Sequence, residues 1–237
     1  MDITGSTALV TGANRGLGRH FAQQLLDRGA RKVYATARDP RTIEARDGIV
    51  PLALDVTDPE AVARVAAAAS DVTLLVNNAG VSAYNDLVTG DLDKLRLELE
   101  TNLLGPLHTI RAFAPILAEN GGGAVVNVLS RMSWLSVAGA NGYAVSKAAA
   151  WSLTNGVRLE LAGQGTLVTG VHLSATDTDM MAGWDIPKND PADVVRATLD
   201  GVEAGALEVI ADADTAATKQ ALSADPAAVY GELLAAT

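Results

Sequence analysis

From Thr7 to Ala211 the chain alternates between two hydrophobic periods. Short Val/Leu/Ala runs have apolar residues at every position. Longer stretches between them carry apolar side chains every third or fourth residue. A strand buried on both faces has no polar side and reads as a continuous apolar run. Parallel neighbours need a crossover of a dozen or more residues, usually a helix. The alternation therefore predicts a single-domain, doubly wound parallel α/β sheet of about seven strands with helices on both faces. Strands are expected at Thr7–Val10, Lys32–Thr36, Val50–Leu54, Val72–Val76, Ala124–Leu129, Leu167–Leu173 and Leu207–Ala211. Helices are expected from Gly16 to Arg28, from Pro59 behind an Asp58 cap to about Ala69, from Asp91 to Glu119, from about Gly142 to Leu161, and from Asp190–Pro191 to Glu203. The segment from Asp212 reads as a tail with one or two short helical pieces. No linker or repeat divides residues 1–237.

Composition narrows the function classes. The formal net charge is −10, which disfavours general binding to nucleic acid or anionic membrane. There is no cysteine, so disulfides and thiolate metal sites are excluded. His20, His108 and His172 lack metal-ligand spacing. The N-terminus has no basic segment ahead of an apolar one, and no apolar run suits a membrane span, so a cytoplasmic location is expected.

The first strand runs into Thr11-Gly12-Ala13-Asn14-Arg15-Gly16-Leu17-Gly18. Glycines between a strand and a helix let the backbone turn tightly and approach a pyrophosphate. The following helix N-terminus offers unpaired N–H groups and a favourable dipole. Three glycines alone also suit an ordinary turn; the strand-then-helix setting favours the phosphate reading. Strand two ends Ala35-Thr36-Ala37-Arg38. An acid that would bond the adenosine ribose of NAD and repel a 2′-phosphate is absent. Arg38 offers a planar fork for that phosphate, and Arg15 is expected to close on it from the glycine turn, so NADP(H) is the expected cofactor. A solvated loop arginine is the plainer alternative for Arg38.

Tyr143 and Lys147 lie four apart on a predicted helix and share a face. An ammonium at about 5 Å would favour the phenolate by about 3 kcal/mol at an effective dielectric of about 20, lowering the phenol toward a range useful for acid/base work. Ser130 stands just past strand five, at the carboxyl edge where open sheets bind ligands, and can hold a carbonyl oxygen beside Tyr143. Asn102, in the interior of a predicted helix, can fix a water and extend a proton path from Lys147; a solvated side chain is the alternative.

Together these motifs resemble the short-chain dehydrogenase/reductase family over nearly the whole chain. Thr11 to Gly18 is similar to its T-G-x-x-x-G-x-G turn, and the resemblance implies cofactor contacts at Gly12, Asn14, Arg15, Gly16, Leu17 and Gly18. Asp55-Val56 resembles its adenine-contacting pair. Asn77-Asn78-Ala79-Gly80 matches its N-N-A-G stretch, with Asn78, Ala79 and Gly80 beside the cofactor. Asn102, Ser130, Tyr143 and Lys147 match its catalytic four, and Lys147 is implied to bond the nicotinamide ribose. Thr178 matches the threonine that holds the nicotinamide carboxamide, but Leu173-Ser174 stand where the family has Pro-Gly. The implied activity is hydride transfer between the nicotinamide and an aldehyde, ketone or secondary alcohol. A nucleotide-sugar epimerase of the extended branch and a non-catalytic NADP(H) sensor are the rivals.

The pocket is expected from Val81 to Tyr84, Arg131 to Leu135 and Thr178 to Ile186, with Ser133, Trp134, Met180, Met181 and Trp184 making it mostly apolar. Trp134 and Trp184 suit ordinary packing equally well. Ala149, Trp151, Leu153 and Val157 are candidates for a second apolar face, and the resemblance implies a homodimer or homotetramer.

Overall fold

The computed structural model describes residues 1–235. Seven strands form one parallel sheet in the order β3-β2-β1-β4-β5-β6-β7. They are β1 (Thr7–Val10), β2 (Lys32–Ala37), β3 (Ile49–Ala53), β4 (Leu74–Asn77), β5 (Ala124–Val128), β6 (Leu167–His172) and β7 (Glu208–Ile210). Each boundary lies within two residues of expectation. The order reverses between β1 and β4, and the crevice beyond their carboxyl ends is where such sheets bind ligands.

Pleating sends alternate side chains to two cores. Ala8, Val10, Leu74 and Val76 face one side, where α1 (Gly16–Asp27) and α6 (Pro191–Glu203) pack through Phe21, Leu25, Val195 and Leu199. Leu9, Leu75, Val125 and Val168 face the other, under α2 (Pro59–Ala68), α4 (Gly105–Glu119) and α5 (Asn141–Leu161). The tail beyond β7 forms α7 (Ala213–Gln220) and α8 (Pro226–Ala235).

The single helix expected from Asp91 to Glu119 is in fact interrupted. It divides into α3 (Leu92–Leu99), a π-helical turn (Glu100–Leu104) and α4. Pro106 has no N–H to give the Asn102 carbonyl four residues back. The Gly105 N–H instead bonds the Glu100 carbonyl five residues back. Gly105 also sits where a Cβ would run into Val56, so α4 approaches the end of β3 closely. Apolar spacing does not register the irregularity, because an extra residue in one turn leaves the side chains on both flanks apolar.

Candidate active site

The glycine turn is held from β4. Thr11 Oγ1 accepts from the N–H groups of Asn78 and Ala79, and the Asn78 amide donates to the carbonyls of Thr11 and Gly12. Gly12 and Gly16 take positive φ, +64° and +49°. A Cβ at Gly18 would collide with the Gly12 carbonyl. Arg15, the N-cap of α1, makes no side-chain cap, and the first turn of α1 contains no acid. The N–H groups there are therefore open to an external anion, which fits a pyrophosphate.

At the end of β2, Ala37 is buried and Arg38 is exposed. Arg38 makes no hydrogen bond or ion pair with other described residues. Asp55 accepts from Thr57 N and Oγ1, and these bonds, with Arg38 nearby, hold its carboxyl below the usual range. The structure does not bring Arg15 to Arg38. Arg15 instead pairs with Asp179 at 3.0 Å, both side chains about two-thirds exposed. Asn14 and Leu17 lie half-buried at the turn, and Thr178 meets it at Gly16.

The four matched residues converge at the carboxyl edge of β4 and β5. Ser130 follows β5, and its hydroxyl lies near enough to the Tyr143 phenol to favour the phenol's ionised form. Lys147, 5% exposed, donates from Nζ to the Val128 carbonyl at 2.8 Å. Its Nζ lies 5.6 Å from the Tyr143 ring centre. Burial pulls Lys147 down to about 8. The expected lowering of the phenol by this lysine is not what the site displays. Burial pushes Tyr143 up to about 12, the Ser130 hydroxyl pulls against it, and Glu98 and Tyr84 add to the rise.

Asn102 is buried in the π turn, and its side chain is engaged on both sides. Its amide oxygen accepts from Val81 N at 2.9 Å, and its nitrogen donates to Val81 O and Ser146 Oγ. What faces inward is a small cavity of about 10 Å³ bordered by Asn77, Asn102, Pro106, Asn127 and Lys147. That is room for about one water. Gly80 lies against Asn102, where a Cβ would come within 3.2 Å of the amide oxygen.

Two of the expected walls close the cleft mouth. Tyr84, with φ +49°, donates to Met180 O at 2.6 Å and stacks on Trp184. Trp134 does not join them. It stacks on His172 and meets Trp151 edge-on behind the serine, which is packing. Ser133 is likewise buried rather than presented to the cleft. At the departure from Pro-Gly, Ser174 keeps negative φ. Its N–H bonds Asp212, and its hydroxyl accepts from Asn189. Of the candidates for an outer face of α5, Val157 is buried and Leu153 packs on the core of this subunit, while Ala149 and Trp151 are half-buried. The exposed apolar residues of α5 are Val145 and Leu159.

Two buried groups escaped the sequence reading. Glu98 is fully buried, four residues before Asn102, so the pair share a helix face. One Glu98 oxygen accepts from Ala83 N at 2.8 Å; the other has no partner. His172 is fully buried at the end of β6, its Nδ1 3.0 Å from the Ser130 carbonyl. An acid in a helix and a histidine in a strand carry no spacing signal of their own. Only the i, i+4 relation to Asn102 could have pointed to Glu98.

No group of histidine and acidic residues able to hold a metal occurs among the described residues, and none of their helices is long and apolar enough to cross a membrane.

Comparison with known proteins agrees with this architecture. The family model for short chain dehydrogenases matches residues 6–188. A 3-oxoacyl-[acyl-carrier-protein] reductase FabG of Vibrio cholerae is 34% identical, the match covering 99% of this chain and 96% of the relative. Human short-chain dehydrogenase/reductase 3 is 31% identical, with 85% and 73% covered. The crystal structure of a short chain dehydrogenase from Burkholderia cenocepacia in complex with NADP superposes with a TM-score of 0.94, 40% identity and 99% of each chain covered. A Burkholderia phymatum family member in complex with NAD, 23% identical, shares the fold at a TM-score of 0.85 over 93% of each chain. With the glycine turn, the N-N-A-G stretch and the Ser130/Tyr143/Lys147 cluster on the expected sheet edge, this chain belongs to the short-chain dehydrogenase/reductase family of oxidoreductases.

Proposed function

We propose that this protein is an NADP(H)-dependent carbonyl reductase acting on small to mid-sized aldehydes and ketones, working in the cytoplasm as a homodimer or homotetramer. The observation that carries the reading is the meeting of Ser130, Tyr143 and Lys147 at the sheet edge, with Lys147 Nζ anchored on the Val128 carbonyl at 2.8 Å and 5.6 Å from the Tyr143 ring centre. Serine and tyrosine hydroxyls on one edge can both turn to one substrate oxygen. A phenol held protonated through the neutral range is the state a reductase needs in its acid.

Bound between the glycine turn and Thr178, the nicotinamide would supply the hydride. Ser130 orients the substrate carbonyl, and Tyr143 donates a proton to its oxygen as negative charge develops there. Lys147, buried and pulled down to about 8, exchanges protons near neutrality and is placed to resupply Tyr143. The Asn102 carbonyl, left without an N–H by Pro106, can hold one water in the adjoining cavity and continue the path. The Asn102 side chain has a different task, fixing Val81 at the cleft wall.

The preference for NADP(H) rests on the unpaired Arg38, the absence of an acid at Ala37, and the NADP complex of the 40% identical Burkholderia protein. Arg38→Asp is expected to lower efficiency with NADPH and to narrow or reverse the preference over NADH. Equal efficiency of the parent with both cofactors overturns the assignment. Tyr143→Phe is expected to abolish turnover across a panel of aldehydes and ketones while NADPH still binds. Activity retained to within about tenfold, a loss of only about 1.4 kcal/mol, rejects Tyr143 as the acid. Tight NADPH binding with no oxidation by any panel member identifies a sensor instead.

A further inference from the structure

Glu98 is a charge-bearing group for which the reaction above has no use. It lies on α3, fully buried, with one carboxylate oxygen unpartnered. Burying a carboxyl group without full hydrogen bonding is costly, so its surroundings need a reason to keep it. Those surroundings are specific. Its Oε1 holds Ala83 N, while Asn102, one turn further on, holds both backbone groups of Val81. The two side chains together clamp the strip of backbone that leads to Tyr84 and forms one wall of the cleft. The free oxygen, Oε2, lies directly against Gly142, where any Cβ would collide with it. Gly142 stands in the first turn of α5, immediately before Tyr143, and its N–H is anchored on the Asn85 carbonyl of the same wall. A carboxylate at a helix N-terminus is favoured by the helix dipole, which partly offsets its burial.

We propose that Glu98 is a positioning residue that joins the cleft wall to the first turn of α5 and sets a negative charge against the backbone immediately before Tyr143, so that Tyr143 serves as a proton donor. The inference rests on the reading of Tyr143 as the acid. The charged or titratable groups around the pair are Lys94 on α3, Tyr84 on the wall, and Lys147 on α5, whose Nζ is turned to Val128. Burial raises Glu98 itself, while the Ala83 bond and Lys94 pull it back toward the charged form. An anion near the phenol disfavours phenolate, so removing it moves the phenol's titration to lower pH.

Two substitutions separate the two tasks. Glu98→Gln keeps an oxygen for Ala83 and removes only the charge. Glu98→Met removes both. Tyrosinate ultraviolet absorbance after a rapid pH jump, read ahead of alkaline unfolding, gives the Tyr143 titration as the difference from Tyr143→Phe. In the parent this component is expected only at the alkaline end. In Glu98→Gln it moves to lower pH while hydrogen-exchange protection of the Ala83 amide is kept. In Glu98→Met the protection is lost, and in turnover assays KM rises more than kcat falls. A Tyr143 component that stays in place or moves upward in Glu98→Gln overturns the proposal, as does full Ala83 protection in Glu98→Met. If Glu98→Met does not fold, the Glu98→Gln titration decides alone. Neither optical nor exchange readout needs a substrate. A failure of Tyr143 as the acid would therefore appear separately, as turnover surviving in Tyr143→Phe.

Discussion

At the scale of single residues, the pair Arg15–Asp179 has a consequence for cofactor choice. Arg15 is the cation that sequence reasoning aims at the adenosine 2′-phosphate, yet its guanidinium is engaged with Asp179 at 3.0 Å. Both side chains are about two-thirds exposed, where ion pairs contribute little. The contact therefore competes only weakly with a phosphate. Asp179→Asn is expected to tighten NADPH by about fivefold at most and to leave NADH unchanged, measured by calorimetric titration of both. Equal tightening of the two would mean that Asp179 acts on a part of the cofactor they share. Residue types were legible in the sequence wherever chemistry demands a particular one. Tyr143, Lys147, Ser130 and the glycines of the turn are of this kind. Partners were less legible. The sequence offers two arginines to one phosphate, but only the folded loop from Ser174 to Asn189 brings Asp179 within reach of one of them. Tyr143 is a case of the same kind. Spacing supplies the lysine one turn away, whereas the burial that raises the phenol and the Glu98 charge are properties of the assembled cleft.

At the scale of elements, the strands and most helices were legible because period and punctuation agree. The helix α2 illustrates this. Asp58 accepts from the N–H groups of Glu60 and Ala61, and Pro59 takes the first helical position. The cap stands apart from the catalytic cluster, so it offers a control for the active-site substitutions. Asp58→Ala is expected to cost about 1 kcal/mol and to lower Tm by about 2–4 °C with kcat preserved. A loss of kcat in step with stability would show that α2 transmits strain to the cleft. The π turn between α3 and α4 is the opposite case. Its cause, Pro106 four residues after Asn102, is visible in the sequence. Its consequence is not, because a proline near a helix start is usually harmless. Here it falls in the middle of a long amphipathic stretch and takes the i, i+4 donor away from the Asn102 carbonyl. Asn102 in this turn grips the cleft wall with its side chain and borders the small cavity beside Lys147.

At the scale of the whole molecule, the sheet carries charge states that couple the site to overall stability. His172 ends β6 beneath Ser130, buried, stacked on Trp134, its Nε2 without a hydrogen-bond partner. The nearby carboxylate, Glu208, is already ion-paired with Lys219. Burial pulls His172 from its ordinary 6.5 down to about 4, with Lys219 and Lys147 acting in the same direction and the Ser130 bond against it. The folded imidazole thus stays neutral while the unfolded chain takes up a proton between about pH 6.5 and 4. Stability is unaffected by this group above that window and falls as pH drops through it, by about 3 kcal/mol at the acid end. His20, also lowered by burial, adds to the slope in the same sense. Denaturant unfolding at pH 7 and pH 5 is expected to reveal the loss in the parent. His172→Phe, which keeps a ring against Trp134 but cannot titrate, should start less stable at pH 7 for want of the Ser130 bond, yet lose less between the two pH values. A parent and variant with the same pH dependence would place the acid sensitivity elsewhere. Because the folded imidazole stays neutral through this window and keeps its contact with the Ser130 carbonyl, His172 is expected to lower stability without lowering the turnover of the molecules that remain folded.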